Sequence, residues 1–69
     1  MMALLRSMVA MFAASMASQE RSDVELYLSA ASMADVRGDA FDASTQRMNA
    51  MRAAETARKW EARARRWAR

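Results

Sequence analysis

The sequence predicts an all-α protein, either a helical hairpin or a three-helix arrangement with a long basic C-terminal helix. Two observations predict this class. The 69 residues include 17 alanines, one glycine and no proline, so helix formers dominate and little interrupts them. Apolar residues also recur at helical spacing along the chain. A chain of this length forms one small helical domain, residues 1–69, with a core that supplies only a few kcal/mol of net stability. We therefore expect a partner to contribute to its stability.

The first predicted helix, residues 1–18, has one bulky face and one small face. At 100° per residue, alanine, serine and Arg6 occupy one half of the helical wheel. The bulky half consists of Met1, Leu4, Leu5, Met8, Val9, Met11, Phe12 and Met16. We expect this apolar amphipathic helix to pack against protein. The pattern also leaves open a signal peptide with small residues at Ser15 and Ala17, a transmembrane helix, and a helix lying in a membrane surface.

An acidic second helix is predicted over residues 23–37. Ser22 and Glu25 have the spacing of a capping box, which predicts a break at SQERS just before this helix. Asp23 and Glu25 in its first turn suit the positive end of the helix dipole. Gly38 predicts where the helix ends, because glycine adopts the left-handed conformation that terminates many helices.

The segment VELYLSAASMADV, from Val24 to Val36, resembles a family of very short uncharacterised bacterial proteins. That family has a Tyr-Leu-Ala and Asp-Leu-Glu pattern and an apolar amphipathic N-terminal segment. Tyr27, Leu28 and Asp35 carry the resemblance, whereas Arg37 stands where the pattern has an acid. The resemblance implies a compact bacterial helical protein and supplies no site residue.

The third predicted helix, residues 40–69, follows a cap at Asp39 or Asp42 and contains a heptad repeat. One core row of the repeat is alanine, and the other widens towards the C-terminus. The two rows are Ala43, Ala50, Ala57 and Ala64, and Gln46, Ala53, Trp60 and Trp67. Such a seam permits close approach of a second helix at one end and a large apolar insertion at the other.

Charge is unevenly distributed along the chain. From Glu20 to Asp42 there are six acids and two arginines, a local charge of −4. From Arg47 to the end there are eight bases and two glutamates, a local charge of +6. Segments of opposite sign predict either docking of the acidic helix on the basic one or an anionic partner for the basic helix.

The composition excludes several kinds of site. The chain has no cysteine and no histidine, which excludes disulfides, thiolate zinc sites and imidazole general bases. A single glycine excludes a glycine-rich phosphate loop. Asp35, Asp39 and Asp42 cluster near the predicted turn, where capping and solubility explain them. We therefore expect no catalytic residue, metal site, cofactor or enzymatic activity.

The sequence predicts a protein that acts by binding. We expect an accessory subunit, adaptor or inhibitor in a larger protein assembly, or an oligomer formed by self-association. Tryptophan and arginine are the side chains that dominate protein interfaces. The predicted contact residues are Ala57, Trp60, Arg63, Ala64, Arg66 and Trp67 on the basic helix, with Met8 and Phe12 on the N-terminal segment.

Two other partners fit the same residues. The arginine-rich and tryptophan-containing C-terminal helix could neutralise phosphates and stack on bases of a nucleic acid. The N-terminal segment could instead anchor a peripheral protein to an anionic membrane surface. We expect a bacterial or phage protein in the cytoplasm, with membrane association as the alternative.

Overall fold

In a computed structural model, the chain forms an antiparallel hairpin of two helices, α1 (Met2–Arg37) and α2 (Ala40–Ala68). The structure describes residues 2–69, so the predicted place of Met1 on the bulky face lies outside the described residues. The hairpin is a rod with extents of 56 × 13 × 10 Å, and residues 2–69 contain no strand. The predicted all-α class is confirmed, and the hairpin is the observed arrangement of its helices.

Gly38 and Asp39 form the whole connection between the helices. Gly38 has a φ of 77°. Its amide donates to the carbonyl of Asp35 at 3.0 Å, and the amide of Asp39 donates to the carbonyl of Ala34 at 2.9 Å. This pair of bonds is the Schellman motif that terminates helices. The carboxylate of Asp39 accepts from the amide of Asp42 at 3.0 Å and caps α2. The predicted glycine stop is confirmed, and of the two predicted caps, Asp39 and Asp42, the structure shows Asp39.

The break predicted at SQERS is wrong, because α1 is continuous from Met2 to Arg37. Inside a helix, amides bond to carbonyls one turn earlier. Ser22 and Glu25 therefore find no unpaired amides to cap. The neighbouring Arg21 donates to Glu61 of α2 at 2.8 Å and ties this part of α1 to the second helix. Packing along α2 thus outweighs a local capping pattern, and the separate helices expected over residues 1–18 and 23–37 form one.

Alanine side chains fill the interface between the two helices. The buried residues are Ala13, Ala17, Ala31 and Ala34 on α1, and Ala43, Ala50, Ala53 and Ala57 on α2. We call this set the alanine seam. A buried methyl group contributes on the order of 0.8 kcal/mol. The alanine seam therefore fixes how the helices pack, but it supplies little stability beyond the entropy lost on folding.

The small face of α1 packs on α2, and most of the bulky face stays outside, although Val9 and Met16 are half-buried. The side chains of Leu4, Leu5, Met8, Met11 and Phe12 are all more than half exposed. The heptad of α2 presents mainly alanine to α1, so a leucine or methionine row on α1 would hold the two backbones apart. Alanine against alanine allows close approach between the helices from Gly38 as far as Ala13 and Ala57. Our expectation that the bulky face packs against protein is therefore not met within this chain for most of that face.

Candidate functional site

The free ends of the two helices lie together, at the end of the rod opposite Gly38. We call this region the open end, defined as residues 2–12 of α1 and 58–69 of α2. The buried alanines extend towards it only as far as Ala13 and Ala57. Beyond them, aromatic rings take the place of alanine between the helices. The open end is therefore the place where the alanine seam gives way to larger side chains.

An edge-to-face aromatic pair joins the helices at the open end. The ring centroids of Phe12 and Trp60 lie 5.8 Å apart, with an angle of 84° between the ring planes. Pairs of this geometry contribute about 0.5–1.5 kcal/mol beyond the burial of their area. Trp60 is half-buried, whereas Phe12 is exposed. The pair therefore attaches one edge of an exposed ring to the hairpin and leaves the rest of it in solvent.

One arginine of the same chain lies over each indole ring. The guanidinium of Arg63 lies 4.9 Å from the ring centroid of Trp60. That of Arg6 lies 5.7 Å from the ring centroid of Trp67. These distances are within the range of cation–π attraction. The contact between Arg6 and Trp67 also joins the first turns of α1 to the last turns of α2, where the alanine seam is absent.

The outer side of α1 at the open end is strongly apolar. Its exposed side chains are Leu4, Leu5, Met8, Met11 and Phe12, between 53% and 72% exposed. We call these five residues the apolar face. Serines follow on the outer side of α1, at Ser15, Ser18, Ser22, Ser29 and Ser32, and the next exposed large apolar side chain after Phe12 is Leu26. A contiguous exposed patch bounded by polar residues is typical of an interaction site.

Charge divides the rod into two halves. We define the open half as residues 2–19 and 58–69, and the turn half as residues 20–57. The open half has seven bases and one acid, a net charge of +6. The turn half has seven acids and four bases, a net charge of −3. The apolar face therefore lies in a strongly cationic half of the molecule.

Three ion pairs lie within residues 2–69, at or near the turn half. Arg21 bonds to Glu61 at 2.8 Å and Arg37 to Asp42 at 2.9 Å, while Arg47 bonds to Asp35. The hydrogen bond from Arg21 lowers the pKa of Glu61. Partial desolvation opposes this shift, and the nearby positive charges of Arg21, Arg65 and Arg58 add to it. The bases that follow Ala57 form no ion pair between described side chains and are available to solvent or a partner.

The heptad predicted as a partner surface faces α1 instead. Ala57 is fully buried in the alanine seam, so a partner cannot contact it while the hairpin is closed. Trp60 and Ala64 are half-buried between the helices. The other predicted contact residues of α2 stay exposed at the open end, and they are Arg63, Arg66 and Trp67.

The residues predicted on the N-terminal segment lie in the apolar face. Met8 and Phe12 are each 60% exposed. Sequence reasoning did not select Leu4, Leu5 and Met11 as contact residues, although they share this surface. The signal that identifies them is the alanine row on the opposite side of α1. Small residues at Ala13, Ala17, Ala31 and Ala34 match the alanine heptad of α2 and turn the bulky side outwards.

Other kinds of site are not found in the described part of the chain. No cluster of three or more acidic, histidine or cysteine side chains in residues 2–69 could hold a metal ion. Neither helix is apolar over a sufficient length to cross a bilayer, as judged from the same residues. Comparison with protein-family models, with curated proteins and with solved structures gave no match. The resemblance of Val24 to Val36 to short bacterial proteins therefore stays a prediction, and the geometry of the hairpin carries the functional assignment.

Proposed function

We propose that the chain is a non-enzymatic helical binding protein, an accessory subunit, adaptor or inhibitor that holds another protein on its apolar face. The exposure of this face supports the proposal most strongly. Five large apolar side chains are exposed together on one face of a 7.8 kDa chain with a core made of alanine. Covering apolar area contributes roughly 25 cal/mol per Å². A partner that covers this face thus adds stability that the alanine seam does not provide.

The total exposed surface of the hairpin also supports binding to another protein. Its accessible area is 5315 Å², whereas a compact monomer of 7.8 kDa exposes about 4400 Å². The excess reflects a rod that is only two helices thick. Association with a second protein surface is the ordinary way in which such a rod reduces its exposed area.

The open end also indicates the chemistry of the partner surface. Its apolar face needs an apolar groove or helix face, and the net charge of +6 of the open half favours acidic residues around that groove. Arg63, Arg66 and Trp67 stand at the edge of the same end, where they can form the polar rim of an interface. The partner that fits is therefore a protein with an apolar surface bordered by carboxylates.

An anionic membrane surface is the second candidate, because apolar and basic side chains coincide at one end of the rod. The arrangement of the two helices favours a protein. The apolar face is exposed on α1 apart from the edge contact of Phe12 with Trp60, and bases such as Lys59 and Arg66 are exposed on α2. A flat bilayer covers one side of the rod, whereas a concave protein surface can contact both sets.

The contacts of the two tryptophans support binding to nucleic acid less well than binding to protein. Stacking on bases requires an accessible indole face. Arg63 lies over Trp60 and Arg6 over Trp67, and Trp60 is also held by the edge contact with Phe12. The basic residues alone can still attract phosphates, which makes a salt-sensitive complex the outcome to look for.

Partner capture with matched methionine variants tests the proposal. Met8→Ser with Met11→Ser removes part of the apolar face, while Met48→Ser with Met51→Ser removes comparably exposed methionines from α2. The tagged chain is expressed at its native level, treated with nuclease, and its complexes are weighed by native mass spectrometry. We expect a protein complex with the wild type and the α2 control. We expect it to be weakened at least about tenfold by the α1 variant, since each buried methionine is worth roughly 1.5–3 kcal/mol.

The same experiment separates the alternatives. A complex that nuclease destroys, or that weakens steeply with rising salt, would indicate nucleic acid and contradict the proposal. Flotation of the purified chain with anionic but not neutral vesicles, together with no protein complex, would indicate a membrane surface. Equal capture by both pairs of variants would show that the apolar face is not the binding surface.

A further inference from the structure

We propose that the protein forms an antiparallel, two-fold symmetric dimer through one flank of α1, centred on Gln19. This inference rests on the proposed function and names the partner as a second copy of the chain. The surface that fits the open half is apolar and bordered by acids. The turn half of the same chain has both properties, because it is acidic and exposes Leu26, Met33 and Val36 on α1.

A single row of α1 carries large exposed side chains along most of the helix. The row has a spacing of seven residues and consists of Leu5, Phe12, Gln19, Leu26 and Met33. We call it the flank stripe. Its four apolar members are between 53% and 67% exposed, and the row spans about 42 Å at 1.5 Å per residue. Seven residues make nearly two helical turns, which is the repeat that lets two helices pack side by side.

The flank stripe is placed where a second helix can reach it. Each member of the flank stripe stands one residue before a member of a second row on α1. That second row contains Ala13 and Ala34, which are buried against α2. One residue is about 100° around a helix. The flank stripe therefore lies beside the α2 contact, at the angle that a further helix occupies in a bundle.

The stripe is self-complementary when one copy is reversed. An antiparallel partner centred on Gln19 places Leu5 opposite Met33 and Phe12 opposite Leu26. Large apolar residues thus meet large apolar residues in each half, as an interface that uses the same patch on both copies requires.

Gln19 occupies the centre of this alignment, where it meets its own copy. A glutamine side chain has both donors and an acceptor, so two of them can hydrogen-bond across a two-fold axis. A single polar residue in an apolar stripe is a known way to fix the register of paired helices. Gln19, the one polar member of the flank stripe, therefore lies at the two-fold axis, where its hydrogen-bond partner is Gln19 of the second copy.

Charge selects the antiparallel orientation. In that orientation the open half of one copy, with a charge of +6, lies beside the turn half of the other, with a charge of −3. A parallel dimer would place the two +6 halves side by side. Complementary charge guides association and suppresses the wrong orientation. The chain thus carries the acid-bordered apolar surface that the open half needs.

Two leucines of α1 provide a matched test of the surface. Leu26 belongs to the flank stripe, whereas Leu28 lies two residues later on another side of the helix, and they are 67% and 47% exposed. We expect sedimentation equilibrium to give twice 7.8 kDa for the wild type and for Leu28→Lys. We expect Leu26→Lys to give the monomer mass with unchanged helical circular dichroism. A monomeric wild type, or equal masses for both variants, overturns the proposal.

Single cysteines test the orientation, because the chain has none of its own. Under oxidation, we expect Leu5→Cys and Met33→Cys chains to form a mixed disulfide when combined, and neither to form a disulfide alone. A disulfide in the Met33→Cys chain alone would indicate a parallel dimer, and a dimer without the mixed disulfide would exclude the stated register. Either result overturns this inference. The proposed function is decided separately, since a monomer that still captures a different protein through Met8 and Met11 retains it.

Discussion

The turn between the helices depends on the backbone conformation of one residue. Gly38 has a φ of 77°, and no side chain beyond its two chain neighbours lies within 4 Å of where a Cβ would stand. Gly38→Ala therefore introduces backbone strain without a side-chain clash. We expect it to lower the free energy of unfolding by about 1–2 kcal/mol, measured by urea denaturation. Gly38→Asn should cost less, because asparagine tolerates this conformation. Equal stability of all three chains would contradict the role given to the Schellman turn.

A second residue-scale prediction concerns the size of the side chains in the alanine seam. Ala57 is 0% exposed, so Ala57→Leu must push the helices apart or adopt a strained rotamer. We expect a loss of about 1–3 kcal/mol in the free energy of unfolding. Ala14→Leu makes the same change at an exposed position of α1 and should leave stability nearly unchanged. A neutral Ala57→Leu would mean that the helices are not closely packed there.

Residue-scale features of this chain were largely predictable from sequence. The glycine stop at Gly38 and the cap at Asp39 depend on bonds within a few residues, and the structure shows both. The pattern of Ser22 and Glu25 had the same local character and misled the prediction. The capping bonds of Ser22 and Glu25 form only where a helix begins. Contacts with α2 favour a continuous α1, so no helix begins there.

At the scale of the helices, the alanine heptad of α2 was predictable from the sequence. The face of α1 that packs against it was not. Helical periodicity showed two faces on residues 1–18, one bulky and one small, and both were able to pack. The decision depends on the partner helix. A row that contains Ala43, Ala50 and Ala57 leaves room only for small residues, so the pairing of α1 with α2 has to be considered before the face of α1 can be chosen.

The ion pair between Arg21 and Glu61 gives the helix pair a pH dependence. Its hydrogen bond lowers the pKa of Glu61 in the folded state. The ionised carboxylate thus stabilises the hairpin above the unfolded pKa of about 4.3, and this contribution is lost as pH falls through the lower folded value. We expect Glu61→Gln to lower the Tm slightly at neutral pH and to match the wild type in strong acid.

The control for this prediction is Glu55→Gln on the same helix. Glu55 is exposed, and the ion pairs between described side chains do not include it. Thermal unfolding followed by circular dichroism across the acid range should therefore show no comparable difference from the wild type. A Glu61→Gln effect that persists in strong acid would assign the stabilisation to packing of the side chain and not to its charge.

At the scale of the whole molecule, a thin rod with an alanine core gains stability from association. Binding that occurs only in the folded state raises the Tm with concentration. We expect the Tm of the wild type to rise with protein concentration, and that of Leu26→Lys to stay constant. Leu28→Lys serves as the matched control and should behave as the wild type. A concentration-independent Tm for all three chains would contradict stabilisation by a second copy.

The sequence alone indicated a binding protein with opposite charges in different segments, and the hairpin changes where the binding surface is expected. The predicted contact residues lay mainly on α2, with Met8 and Phe12 on the N-terminal segment, but α1 covers Ala57 and partly covers Trp60 and Ala64. The candidate surface therefore lies on the other helix. It consists of side chains that the closure of the hairpin leaves outside. The sequence predicted Met8 and Phe12 of this surface, but Leu4, Leu5 and Met11 could not be assigned to it before the pairing of the helices was known.

Oxidative footprinting of the methionines tests this central claim most directly, by comparing the isolated chain with the complex recovered at native expression. Met8 and Met11 of the apolar face are 60% and 72% exposed, and Met51 of α2 is 73% exposed. We predict that the complex protects Met8 and Met11 from oxidation and leaves Met51 as reactive as in the isolated chain. Protection of Met51 alone, or equal reactivity of all three methionines in both samples, would contradict the apolar face of α1 as the binding surface.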